Sequence, residues 1–185
     1  MSMFKVVKSL MVMCALVNLP AHAGVYGLGK PISEHAVAAW NIDINPAGDG
    51  LPSGSGSVAQ GQPIYAAKCA SCHGAKGEGK PADVLVGGIG SLKNDKPLKT
   101  VGSFWPYAAP IYDFIYRAMP YNEPQSLSAT EVYAVTAYLL FLNGIVPAET
   151  TLDAKSLPLV QMPNRNGFVS DVRPDVVNMP CLKCY

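Results

Sequence analysis

Two cysteines three positions apart, with a histidine directly after the second, leave few folds open to this 185-residue chain. Cys69-Ala70-Ser71-Cys72-His73 is its one C-x-x-C-H segment. Thiols at that spacing, near the end of a helix, project the same way and suit the two vinyl groups of one porphyrin. The adjacent imidazole suits the iron from the proximal side. Cys69 and Cys72 are therefore the expected covalent anchors of one haem c, and His73 an expected axial iron ligand. Two rival readings use the same thiols. A thioredoxin-like redox pair belongs after a strand in a βαβ unit, and no such pattern precedes Cys69. A zinc site would recruit Cys181 and Cys184 to complete four thiolates. The adjacent histidine and the helical pattern around the motif favour haem over both.

The first 23 residues read as an address. Lys5 and Lys8 precede the apolar run Leu10–Val17, which is shorter than the roughly 20 residues a membrane span needs. Asn18 and Pro20 break it, and Ala21-His22-Ala23 has the small-x-small form of a signal peptidase site. Cleavage there implies export to the periplasm, with no membrane span in the mature form. It also removes two of the 14 Lys and Arg, taking the charge from +1 to −1. Cys14 leaves as well, so the five cysteines become four in an oxidising compartment. With that charge and no basic run, nucleic-acid binding has no electrostatic basis. No paired carboxylates, nucleophile triad or phosphate loop accompany the motif, so no independent catalytic site is visible.

The helical signals cluster in the middle of the chain. A short helix is expected over 32–41 with Ser33 as cap, then turns at 45–50 and 52–56. The next helix spans about 58–70 behind Ser57, with its regular part starting near Gln62 because Pro63 falls in the early turns. Gly61, Tyr65 and Tyr138 suggest a close helix crossing. A glycine-rich loop covers 74–90. Ile111, Phe114, Ile115 and Ala118 form one stripe of a helix over 108–118, ended by Pro120. Ser128-Ala129-Thr130-Glu131 is a capping box, followed by Val132, Val135, Leu139 and Leu142 on one face until Asn143-Gly144. The expected fold class is all-α, and the tail from Val146 should be ordered with little regular structure. The division is 1–23 signal peptide, 24–56 N-terminal extension, 57–145 haem domain and 146–185 C-terminal extension.

Iron needs a sixth ligand or an open position. Met119, in Arg117-Ala118-Met119-Pro120, lies between the second and third main helices, where a loop can return across the ring. Met162 and Met179 lie beyond the last core helix and His35 lies well before the motif, so Met119 is the expected distal ligand. Met/His ligation raises the reduction potential and suits electron transfer. Trp105 and Tyr107 can wall the haem and donate to a propionate, or simply pack in the core. Arg117 can pair with a propionate or stand in solvent. Lys93, Lys96 and Lys99 fit a docking patch or a solvated loop.

Longer strings extend the argument: Gly54–Gly61 (GSGSVAQG), Val101–Ala108 (VGSFWPYA), Arg117–Pro120 (RAMP), Gln125–Ser128 (QSLS), Glu131–Tyr138 (EVYAVTAY) and Met162–Asn164 (MPN). In this order the chain resembles the cytochrome c subunits of the Sox sulfane dehydrogenase and of sulfite dehydrogenases. The resemblance runs from about Tyr26 to Cys184. It implies a class I cytochrome c core with long irregular N- and C-terminal extensions, which would wrap the core or bind a catalytic subunit. It also implies a molybdenum-containing dehydrogenase subunit of the sulfite-oxidase type as electron donor, and a downstream cytochrome c as acceptor. Some Sox members carry a second haem domain, which this sequence lacks, because Tyr185 and not His follows Cys184. Cys181 and Cys184 are read as a disulfide, with a redox-active or intermolecular bridge as the other reading. Two further functions share the motif: a freely diffusing carrier for another periplasmic dehydrogenase, and a haem ligand-binding or sensor module.

Overall fold

The computed structural model describes residues 29–170. The expected signal peptide, with Cys14, and the terminal pair Cys181 and Cys184 lie outside the described residues. The chain divides into two units, one ending at Trp40 and the other beginning at Asn41. In the first, the helix α1 (Glu34–Ala38) is shorter than the expected 32–41 but keeps the expected cap: the Ser33 hydroxyl accepts from the Ala36 N–H at 3.2 Å, and none of its five side chains is buried.

The second unit holds the core. Its elements are β1 (Ser55–Ser57), α2 (Val58–Lys68), α3 (Ala70–His73), α4 (Ala109–Ala118), α5 (Ala129–Leu142) and β2 (Thr151–Asp153). Helix α2 is regular from Val58, four residues before the start expected from Pro63. A capping box anchors it instead, with Ser57 Oγ accepting from Gln60 N–H at 3.2 Å and Gln60 Oε1 accepting from Ser57 N–H at 2.9 Å. Pro63 removes one helical N–H, but both it and Ala59, whose carbonyl loses that donor, face solvent, where water replaces the bond.

Helix α5 has the expected capping box and ends at Asn143, with Gly144 at φ +68°. Its burial exceeds the single expected face. Every residue from Val132 to Ala137, and Leu139 and Leu140, is buried, because α2 lies on one side and α4 on the other. Gly56 and Gly61 make the α2 side possible. A β-carbon on Gly61 would lie 2.0 Å from the Ala134 carbonyl oxygen, and one on Gly56 would lie 2.2 Å from the Ala134 nitrogen. The glycines thus admit the backbone of α5 rather than an aromatic ring. The expected pair Tyr65 and Tyr138 follows one turn on, with ring centroids 5.4 Å apart.

The chain on either side of the four helices belongs to the same core. Strand β1 pairs antiparallel with β2, Gly56 opposite Leu152, so Ser55 and Gly56, read as turn, belong to a short strand. Ile44, Leu152, Leu157 and Met162 are buried with the helical residues. Tyr133 Oη donates to the Pro52 carbonyl at 2.9 Å, and Asn164 Nδ2 donates to the Phe104 carbonyl at 2.7 Å. Among the described residues no helix is long and apolar enough to cross a membrane.

Candidate functional site

The short helix α3 carries the motif. Its backbone runs on from α2 with a break at Cys69 (φ −121°, ψ −37°), and Gly74 at φ +84° ends it, a conformation open to glycine without strain. The loop then folds back beneath the motif. Gly79 N–H donates to the His73 carbonyl at 2.7 Å and Ala82 N–H to the Cys72 carbonyl at 2.9 Å. That return brings the Asp83 carbonyl to 2.8 Å from His73 Nδ1. A carbonyl only accepts, so Nδ1 carries the proton and Nε2 is the ring nitrogen left with a lone pair. A metal-binding imidazole is oriented by such a bond.

Cys69, Cys72, His73, Met119 and Trp105 share the lining of one cavity of about 710 Å³. Most of the remaining wall is apolar: Leu85 and Val101 come from the stretch before α4, Ile111, Phe114 and Ile115 from α4, Leu127 from just before α5, and Val135 and Leu139 from α5. Tyr65 closes the motif side, its hydroxyl donating to the Gly74 carbonyl at 3.0 Å. Burial pushes Tyr65 up to about 12. Burial, and then the charge of Cys72, pushes the Cys69 thiol up to about 11, so Cys69 carries its proton at neutral pH. Two thiols, an imidazole with a free Nε2 and a thioether in one apolar cavity fit a covalently held haem with His and Met axial ligands.

Of the three expected haem contacts, one lies on the cavity wall and two lie off it. Trp105 is on the wall, edge-on to Phe114 with centroids 6.1 Å apart. Tyr107 is off the wall and lies under the Arg165 guanidinium, 4.2 Å from its ring centre. Arg117 is also off the wall, paired with Asp113 four residues earlier on α4. Met162 is 3% exposed in the core and is not a lining residue. Of the three lysines, Lys99 reaches the cavity and stands 5.0 Å from the centre of the Phe104 ring, while Lys93 and Lys96 are exposed.

Two parts of the site escaped the sequence reading. The Asp83 carbonyl is a backbone group, so its residue type carries no trace of its role. Phe114 belongs to the stripe assigned to core packing, yet it is 49% exposed and lines the cavity.

Residues 56–139 match the family model described as cytochrome C oxidase, cbb3-type, subunit III. No curated protein matches the chain. The crystal structure of the sulfane dehydrogenase SoxCD from Paracoccus pantotrophus is similar at 40% sequence identity and a TM-score of 0.76. The match covers 86% of this chain and 81% of that one.

Proposed function

From the premise that this chain belongs to the class I c-type cytochrome family of Sox sulfane dehydrogenase and sulfite dehydrogenase subunits, we propose that it is the electron-accepting subunit of a periplasmic sulfur-compound dehydrogenase. Its donor is a molybdenum-containing subunit of the sulfite-oxidase type, and its acceptor a downstream cytochrome c. Residues 1–23 are the signal peptide that directs export, residues 24–56 and 146–185 flank the haem domain at 57–145, and Cys181 and Cys184 form a terminal disulfide. The observation that carries the reading is the meeting of Cys69, Cys72, His73 and Met119 on one apolar cavity.

Haem c supplies a one-electron iron centre when bound. Cys69 and Cys72 would hold one haem c through two thioether bonds, their S–H groups being placed to add across its vinyl groups. His73 would offer Nε2 to the iron, its tautomer set by the Asp83 carbonyl, and that bond raises the basicity of the imidazole. Met119 presents its sulfur from the end of α4. The apolar part of the wall would shield a haem from water, and low polarity around the iron favours the less charged, reduced state. On this reading the chain's part is electron relay, with the sulfur chemistry left to its partner. It moves electrons singly from the two-electron chemistry of its partner.

The test is reconstitution. Mature holoprotein, mixed with a sulfite-oxidase-type molybdenum subunit, is expected to co-purify with it and to show haem reduction on adding sulfite or a sulfane-sulfur substrate. The substrate that reduces it identifies the sulfite or sulfane branch. No complex and no reduction with either would leave the freely diffusing carrier as the better account.

A further inference from the structure

Arg117 lies off the cavity wall, and its partner on the other side of α4 suggests a role of its own. Asp113 is 7% exposed, and both carboxylate oxygens are engaged. Oδ1 accepts from the Ile44 backbone N–H at 3.0 Å, joining residues 69 positions apart in sequence. Oδ2 accepts from the Arg117 guanidinium in the last turn of the same helix. Ile44 is itself buried, so the extended segment from Asn41 is fastened along α4 at this point.

The inward side of α4 presents Ile111 and Ile115 to the cavity. The Asp113 clamp therefore grips the helix from the opposite side, about half a turn away. Met119 follows directly: its N–H donates to the Ile115 carbonyl at 3.0 Å, closing the last turn that contains Arg117. Beyond it, residues 121–126 are exposed. The bonds of that stretch are two short turns and the Lys68–Glu123 ion pair at 3.2 Å, and an exposed pair of that kind contributes little. The loop after Met119 thus offers weak restraint, and the helix turn before it offers most of what there is.

We propose that Asp113 is a positioning residue for Met119, tying the last turn of α4 to the segment after Asn41 so that the thioether stays at the cavity. The inference rests on the reading of Met119 as the distal ligand. Loss of the Asp113 charge leaves Arg117 without its partner and weakens the grip on Ile44, and a buried group deprived of its hydrogen bond costs more than an exposed one. The last turn then frays more readily and Met119 yields its position to an added ligand.

The experiment uses full-length holoprotein with Asp113→Asn and, separately, Arg117→Gln. The readings are the ferric methionine–iron charge-transfer band and the affinity for imidazole, both taken well below the unfolding temperature. The expected result is a weakened band and imidazole binding about tenfold tighter in D113N, the scale of one charge-assisted hydrogen bond, with a smaller change in the same direction in R117Q. A purely structural role would lower thermal stability and leave both readings at wild-type values, which overturns the inference. Should D113N not accumulate as holoprotein, R117Q decides by the same readings. A wild-type protein without the methionine band would instead overturn the assignment of Met119, a separate result.

Discussion

Replacing Gly61 by alanine tests how closely α2 and α5 must approach. The new β-carbon would sit 2.0 Å from the Ala134 carbonyl oxygen, 2.5 Å from the carbonyl carbon and 2.8 Å from the Tyr138 β-carbon. Ordinary contact begins at 3.4 Å, so the helices must part by about 1.4 Å, and the obstacle is backbone that no rotamer change removes. Alanine gains about 1 kcal/mol of helix propensity over glycine. Overpacking of a tight core costs about 1–3 kcal/mol and more where the backbone must move; a gross cost of about 3–4 kcal/mol here leaves a net loss of about 2–3 kcal/mol after the propensity gain. For a domain of this size that corresponds to a melting temperature lower by about 8 °C. Thermal unfolding of the holoprotein, followed by far-ultraviolet circular dichroism, measures it. Gln62→Ala, at the exposed neighbouring position, should stay within about 0.5 kcal/mol of wild type. A G61A protein melting within about 2 °C of wild type would refute the claim that this glycine sets the helix spacing.

Other consequences are open to direct measurement. Met119→Ala should abolish the ferric methionine–iron band and let the ferrous protein bind carbon monoxide, which the wild type should resist. An unchanged spectrum would remove Met119 from the site. Tyr65→Phe deletes only the hydroxyl that donates to Gly74 at 3.0 Å, and should shift the urea midpoint by the equivalent of about 1 kcal/mol while leaving haem attachment intact. The carboxyl of Glu131 is held below the usual carboxylate range, first by the Ser128 backbone N–H and then by its hydroxyl. A depressed folded value means that its contribution is complete above the ordinary range and is lost as the pH falls through the folded value. Ser128→Ala should cost about 1 kcal/mol at pH 7, and the deficit in urea unfolding should narrow at a pH low enough to protonate Glu131.

The helix ends and the motif were legible because each depends on neighbours in sequence. Ser128 and Glu131 act across three positions, Cys69 and Cys72 across three, and Gly144 on its own backbone. These are local geometries, and residue type states them directly. Pro63 misled for the same reason: the rule about early turns is local, but solvent exposure of Ala59 and Pro63 decided the outcome. Arg117 and Tyr107 each carried two readings, a haem contact or a place elsewhere. On a helix, side chains two residues apart point in different directions, so Arg117, in the last turn of α4, pairs with Asp113 instead of lining the cavity with Met119, while Tyr107 lies under Arg165.

What the sequence by itself determined is the chemistry: two thiols, an imidazole and, at the end of a helix, a thioether, on a chain patterned for helices. Tertiary structure decided which groups meet. The Asp83 carbonyl reaches His73 only because glycine at 74 and the bonds from Gly79 and Ala82 turn the loop back under α3. Asp113 meets Ile44 across 69 residues, and β2, Leu157 and Met162 return from the C-terminal side to complete the core. Such contacts depend on backbone atoms and on the approach of segments remote in sequence. No periodicity encodes them, since the free energy that selects them exists only once the helices have packed.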